Sequence, residues 1–245
     1  MSKFHFKQFT IKQEQSAMKV GTDSILLGSW VDLNTENSIL DIGAGTGILA
    51  LMLAQRSDAE IIDAVEIDEK SFEEAVYNFE NSSWGDRLFC YHSSIQEFSN
   101  EIDDTYDLII ANPPYFSPHK INSVSSKSVA RQTHLLNHLT LLKVTKNLLA
   151  DNGSCAFIIP FKIESLFIEV AKKLNLFIEK HTRVKDTKHA DFKRSLLQFR
   201  LINDNEELSK QLFSDKESEF ILKNEDKSYS KEFVDLTKDF YKSLI

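Results

Sequence analysis

The chain has 245 residues, 42% hydrophobic and 27% charged, with a net charge of −8. That composition is that of a folded globular protein with one sizeable core, and it excludes collagen-like or wholly disordered classes. No run approaches the roughly 18 apolar residues of a membrane span. The segment Met1–Lys7 lacks the apolar centre of a secretion signal. Cys90 and Cys155 show no metal-ligand spacing and lie in strand-like runs, so buried thiols and a metal-free, cytoplasmic, monomeric protein are expected. The acidic balance argues weakly against a polyanion partner, but its distribution does not. Residues 180–200 hold Lys180, Arg183, Lys185, Lys188, Lys193, Arg194 and Arg200 against Asp186 and Asp191, and the acidic excess follows residue 203.

In chain order, residues 1–37 form a basic lead-in carrying Lys3, Lys7 and Lys12, then a short helix Asp23–Val31 capped by Asp23. Ser38–Ile42 reads as a strand, followed by a helix from Gly45 to Arg56. Ile61–Glu66 is a second strand. Phe72, Ala75, Val76 and Phe79 recur at helical spacing after it, which predicts a helix over Glu69–Phe79. Leu88–Tyr91 and Tyr106–Ala111 are the third and fourth strands. A long amphipathic helix is expected over Thr133–Ala150, stopped by Asp151-Asn152-Gly153. Strand Ser154–Pro160, helix Ile163–Leu174 and strands Leu176–Val184 and Ser195–Leu201 follow. Residues 204–245 form a charged extension with a strand Glu219–Leu222 and a helix near Lys231–Tyr241.

Strands alternating with helices predict an α/β, doubly wound, Rossmann-like sheet. It should be mostly parallel, with helices on both faces and an antiparallel strand toward one edge. The chain then divides into the lead-in 1–37, a main domain 38–203 and the extension 204–245.

Two motifs carry chemistry. The first is Asp41-Ile-Gly43-Ala-Gly45-Thr-Gly47, a glycine turn at the end of the first strand. Glycines let a ligand approach the backbone, and the helix N-terminus behind them favours anionic groups. A dinucleotide fingerprint would need Gly or Ala where Ile48 stands, so NAD and FAD are disfavoured. Glu66 ends the second strand, where a carboxylate can accept from both ribose hydroxyls. Together they point to a nucleoside-carrying cofactor; a helix-capping acid is the plainer reading of Glu66.

The second motif is Asn112-Pro113-Pro114-Tyr115, directly after the strand Tyr106–Ala111. An exocyclic amine on an aromatic ring is a poor nucleophile, because its lone pair is delocalised. Two acceptors aimed at its N–H bonds favour a tetrahedral nitrogen. The Asn112 side-chain oxygen and the Pro113 carbonyl suit that task, on a turn that the prolines fix. Tyr115 offers a ring on which a planar base can stack, and Phe116 can wall the pocket. Asn-Pro and Pro-Pro also occur in plain turns. Position after a buried strand, in a chain that carries the glycine loop, separates the two readings.

With these motifs the chain resembles the class I S-adenosylmethionine-dependent methyltransferases of the Asn-Pro-Pro-Tyr type, which act on adenine N6, guanine N2 or a glutamine amide. Further stretches are Phe6-Lys-Gln-Phe-Thr-Ile11, Ala17 to Trp30, Ala130-Arg131 and Phe192-Lys-Arg-Ser-Leu-Leu197. They are similar to the bacterial tRNA1(Val) adenine-37 N6-methyltransferase family. The resemblance implies S-adenosylmethionine as cofactor and tRNA as partner. It places Gly21, Thr22 and Asp23 over the cofactor, beside Asp41, Gly43, Gly45, Gly47, Glu66 and Asn112.

Many methyltransferases carry an Asp after the third strand for the cofactor's adenine amine. Here Ser94 or a backbone group takes that place. Lys185, Lys188, His189, Lys193 and Arg194 are the candidates for tRNA phosphates, with Arg131 as a further RNA contact; an ordinary solvated charged loop is the plainer reading. His134 and His138 share a helix face without a third ligand and read as surface residues. The alternatives are a release-factor glutamine methyltransferase, an rRNA guanine-N2 or DNA adenine methyltransferase, and a noncatalytic cofactor- or RNA-binding module. The first usually carries a helical N-terminal domain, for which the 37 residues before the first strand leave little room.

Overall fold

The computed structural model describes residues 2–16, 19–113, 138–202 and 217–242. Its centre is an eight-stranded sheet with the order β10-β8-β9-β7-β6-β3-β4-β5. The strands are β3 (Ser38–Ile42), β4 (Ile61–Glu66), β5 (Leu88–His92), β6 (Tyr106–Ala111), β7 (Leu149–Pro160), β8 (Leu176–Lys185), β9 (Phe192–Leu201) and β10 (Glu217–Ile221). All neighbours are parallel except β9, which is antiparallel to both β7 and β8. The antiparallel pair lies toward one side of the sheet as expected, with β10 added outside it, parallel to β8.

Helices cover both faces because the central strands are apolar on both. One buried cluster joins Ile39, Ile62 and Leu108 to α1 (Thr22–Trp30), α2 (Ile48–Arg56) and α3 (Glu69–Glu80). The other joins Leu40, Ile109 and Phe157 to α4 (Ile95–Glu101), the helix over residues 138–148 (α5) and α6 (Glu164–Lys173). Continuous strand runs such as Leu108–Ala111, buried along their length, follow from this double cover.

Several local expectations change. Helix α1 starts from Gly21, not Asp23; Gly21 is extended at φ −115° and makes no side-chain cap, while Asp23 occupies the first turn. Helix α5 ends at 148, because β7 begins at Leu149, paired with Tyr106. Asp151-Asn152-Gly153 is therefore an irregularity inside the strand, with Asn152 at φ 60°, rather than a helix stop.

Helix α4 is added between β5 and β6. Its signal is Ser94-Ile-Gln-Glu97, a capping box in which Ser94 and Glu97 each bond the other's backbone N–H. The lead-in contains a hairpin, β1 (Lys3–His5) and β2 (Thr10–Lys12). Its Phe6 bridges to Tyr241 beyond α7 (Lys231–Thr237), so the last helix stops short of its expected end.

Candidate active site

The strand order reverses between β3 and β6, and ligands of doubly wound sheets bind beyond the carboxyl ends at such a point. Ile42 pairs with Ala111 across these strands, so Gly43 and Asn112 leave the sheet side by side. This register is what brings the two sequence motifs together.

A cleft in two lobes opens there. One lobe, about 320 Å³, lies over the β3–β4 side and is lined by Glu66, Ile67, Ser94, Ile95 and Leu141 among others. The second, about 280 Å³, is lined by Gly21, Asp23, Ser24, Gly45, Asn112 and Arg194 among others. Gly43 and Pro113 belong to both.

Gly43 and Gly45 adopt φ of 77° and 55°, and nothing stands within 4 Å of where a Cβ would project from either. The loop thus offers bare backbone to the cleft. Its conformation is held from below: the N–H groups of Gly43 and Ala44 donate to Val65 O at 2.9 and 3.1 Å. Glu66 is 9% exposed. Its Oε2 accepts from Gly45 N–H at 2.7 Å and its Oε1 from Asp68 N–H at 2.9 Å. The carboxylate is fixed while one edge still lines the cleft.

Ile67 beside it is 69% exposed, an unusual state for a branched apolar side chain. With Ile95 and Leu141 it makes an apolar slot for a flat ring. These three residues were not singled out from the sequence. Ile67 had a signal, as the first residue beyond Glu66; Ile95 and Leu141 depend on packing across the cleft.

Asn112 donates from Nδ2 to Ser24 Oγ at 2.9 Å. Ser24 was also missed, since nothing local in α1 marks it. Asp23 forms an ion pair with Arg194 Nε, joining α1 to β9 at the rim of the second lobe. Behind the lead-in, Glu74 accepts from the backbone N–H groups of Glu14, Gln15 and Ser16 at 2.6, 3.1 and 2.9 Å. Asn78 ties Lys12 O to Thr46 O through its Nδ2. Helix α3 thus fixes the segment that leads to Gly21 against the glycine loop.

Other candidates stand elsewhere. Asp41 does not line the cleft: it is wholly buried beneath the loop, with Oδ2 accepting from Ala50 N–H at 3.2 Å. Burial pushes its carboxyl up to about 7; the Ala50 bond opposes this and the charge of Glu66 adds to it. Gly47 faces away from the cleft, onto the Phe79 ring. Ser94 lines the first lobe, but its hydroxyl donates to Glu97 Oε2 at 2.7 Å and accepts from Glu97 N–H at 3.2 Å. His138 lines the first lobe rather than the outer surface.

Among the basic candidates, Lys193 is paired with Asp186, and Arg194 with Asp23 and Asp186. Lys188 and His189 are exposed and form no ion pair with a described residue. Pro114, Tyr115, Phe116, Arg131 and His134 lie outside the described residues. Among the described residues no cluster of His, Cys, Asp and Glu could hold a metal ion, and no helix is long and apolar enough to cross a membrane.

Comparison with known proteins agrees with this geometry. The Methyltransferase small domain family matches residues 13–188. A tRNA1(Val) (adenine(37)-N6)-methyltransferase of Flavobacterium johnsoniae is 47% identical over 97% of this chain and 98% of its own length. Proteins of the same name from Christiangramia forsetii and Pectobacterium carotovorum are 46% and 40% identical. They cover 98% and 97% of this chain, and 98% and 93% of their own lengths.

Among solved structures, one from Agrobacterium tumefaciens described as a predicted O-methyltransferase aligns with a TM-score of 0.64. It does so over 89% of this chain and 96% of its own, at 16% identity. The ribosomal protein L11 methylase of Lactobacillus delbrueckii aligns at 0.52, over 72% and 77%, at 18% identity. At these identities the structures speak for the fold alone. The cleft at the β3–β6 switch point and the near full-length relatives together place this chain in the tRNA1(Val) (adenine(37)-N6)-methyltransferase family.

Proposed function

We propose that this protein transfers a methyl group from S-adenosylmethionine to N6 of adenine 37 in the anticodon loop of tRNA1(Val). The observation that carries the reading is the placement of Asn112, its amide tethered to Ser24, beside the glycine loop and Glu66.

The residues present suit the cofactor. Glu66 would take the ribose hydroxyls, the slot of Ile67, Ile95 and Leu141 the adenine, and the bare loop at Gly43 and Gly45 the centre of the molecule. Gly21, Thr22 and Asp23, at the start of α1, line the lobe where its methionine end would lie. Gln96, also on the adenine side, carries an amide oxygen that supplements the capped Ser94 hydroxyl as an acceptor. S-Adenosylmethionine supplies a methyl group made electrophilic by its sulfonium.

The protein's own work is orientation. Because one Asn112 amide N–H donates to Ser24, the amide is oriented, and its Oδ1 is the acceptor that it offers to the incoming amine. With the Pro113 carbonyl as second acceptor, the two N–H bonds are held and the nitrogen lone pair is freed toward the methyl. Tyr115 and Phe116, which follow Pro113 and Pro114 in sequence, would stack the base, and Arg131 would contact the RNA. Lys188 and His189 are exposed for phosphate contact; Lys193 and Arg194 would contact RNA from within their ion pairs. An anticodon-loop purine is unpaired, so extruding it into the cleft costs less than opening a duplex. The reading goes with a monomer acting in the cytoplasm.

The test is a transfer assay with labelled S-adenosylmethionine on unmodified total tRNA, ribosomal RNA and a release factor, followed by digestion. N6-methyladenosine at position 37 of one valine tRNA is expected. Label in guanine or in a glutamine side chain would overturn the substrate.

A further inference from the structure

Beyond Asn112, the same end of the sheet carries an aromatic cluster that the cofactor cleft does not use. Phe161 opens the short 3-10 turn after β7, and Phe192 opens β9. Their ring centroids are 5.3 Å apart with the planes tilted by 48°, and both rings are half-buried. The Arg183 guanidinium lies 5.5 Å from the Phe161 centroid, and the Lys185 ammonium 4.9 Å from that of Phe192.

Both cations are themselves held. Arg183 pairs with Glu164 at 2.7 Å and Glu217 at 2.6 Å, and Lys185 with Glu219 at 2.7 Å. Glu164 is 3% exposed, so this support is anchored in the core. Each ring is thus backed by a cation in a fixed position, and the cation's charge is already balanced.

The cluster lies at the same end of the sheet as the site. Pro160 pairs with Arg194 across β7 and β9, and a bulge between Phe192 and Arg194 sets Phe192 opposite Lys185. The two rings therefore share the Arg183 face of the sheet end, while Arg194 turns to Asp23 of α1 and lines the cleft with Asn112. Ala111 is level with Phe157 and, through it, with Leu197, so Phe192 lies two strand spacings across, roughly 10 Å, and about 13 Å further along the strand direction than Asn112. Lys162, Lys188 and His189 around it are exposed. Rings backed by cations, beside exposed basic groups, are the combination by which proteins hold unpaired nucleotides: π-faces take bases of any sequence and the cations take the phosphates.

We propose that Phe161 and Phe192 form a stacking platform for another unpaired base of the loop whose target nucleotide is held at Asn112. This rests on the tRNA reading above and adds a second contact point on the same loop. The ion-paired Arg183 and Lys185 stiffen the platform, and phosphate contact falls to Lys162, Lys188 and His189. The platform is sequence-tolerant, so it would strengthen binding of any loop that presents an extruded base.

The experiment uses the full-length protein saturated with S-adenosylhomocysteine and a fluorescent anticodon stem-loop of tRNA1(Val). Phe192→Leu and, separately, Phe161→Leu keep apolar bulk but remove the ring. Each is expected to weaken RNA binding by at least about fivefold, with the affinity for S-adenosylhomocysteine unchanged. Phe192→Tyr is expected to retain RNA binding. Two leucine variants that bind both ligands like the wild type would overturn the platform and leave the functional reading intact. A wild-type protein with no affinity for the stem-loop would overturn both. Weakened RNA binding together with weakened S-adenosylhomocysteine binding in both variants would assign the rings to packing, and would also overturn the proposal.

Discussion

Asn112 and Ser24 lie 88 positions apart in sequence and meet through a single 2.9 Å hydrogen bond, Nδ2 to Oγ. An amide presents a donor at one end and an acceptor at the other, so engaging the donor decides which end faces the cleft. Asn112→Ala removes the acceptor. Turnover should fall by about 10² to 10³, the usual cost of losing one preorganised polar group at a reacting centre, with cofactor affinity retained. Ser24→Ala leaves the acceptor but frees its orientation. It should lower kcat by roughly tenfold, and Ser24→Thr should restore it. Single-turnover rates beside calorimetric titration with S-adenosylhomocysteine separate the two effects; normal turnover in Asn112→Ala would remove the residue from the mechanism.

Glu66 accepts backbone N–H groups from both Gly45 and Asp68 while lining the cleft. In Glu66→Gln one of these N–H groups would face an amide NH2 instead of an oxygen. The loop and the ribose contact should then suffer together. The dissociation constant for S-adenosylhomocysteine should rise by about 10- to 100-fold, as for lost hydrogen bonds to a charged group. Isothermal titration reads this directly, and an unchanged constant would return Glu66 to a purely structural role.

Gly47 has φ 77° and packs on the Phe79 ring, so a methyl group there meets both a strained backbone and an occupied space. Gly47→Ala should destabilise the fold by about 3 kcal/mol. Adding Phe79→Leu should recover the steric part and leave the backbone part. Denaturant midpoints of the single and double variants test this; equal midpoints for both would show that sterics play no role.

Asp41 carries a pH dependence. Burial, opposed by the Ala50 bond and reinforced by Glu66, raises its carboxyl from 3.8 to about 7. The folded state therefore keeps the proton to higher pH than the unfolded chain does. The stability linked to this group is complete below about pH 4 and is lost as pH rises through about 7. Asp41→Asn cannot ionise. Its stability relative to the wild type should improve by up to about 4 kcal/mol between pH 4 and pH 8. Urea unfolding of both proteins at the two pH values measures it, and a difference independent of pH would show that Asp41 does not titrate in this range.

Much of the sheet was legible from sequence. Ser38–Ile42, Ile61–Glu66 and Tyr106–Ala111 occur with the bounds that the apolar runs predict, because a strand covered on both faces must be apolar along its length. The two motifs were legible for a related reason: each sits at a strand end, where backbone shape depends on local Gly and Pro chemistry. Ser94 shows the limit of local reading. Its place after the third strand, where the resemblance puts an Asp, suggested a ligand contact, yet Glu97 three residues on marks it as a helix cap, and the hydroxyl is used there.

What the sequence by itself determined is the strands of the central sheet, the glycine loop, Glu66 and the Asn112 turn. Only the tertiary structure decided how they combine. The Ile42–Ala111 register set Gly43 beside Asn112, the packing of α1 brought Ser24 to the amide, and burial took Asp41 out of the cleft. The ion pairs of Lys193 and Arg194 with Asp186 and Asp23 likewise turned two apparently free cations into restrained ones. The physical reason is one of range. Dihedral preference and hydrophobic periodicity act over a few residues and are written locally, whereas register, burial and charge pairing arise between segments that meet only once the chain has folded.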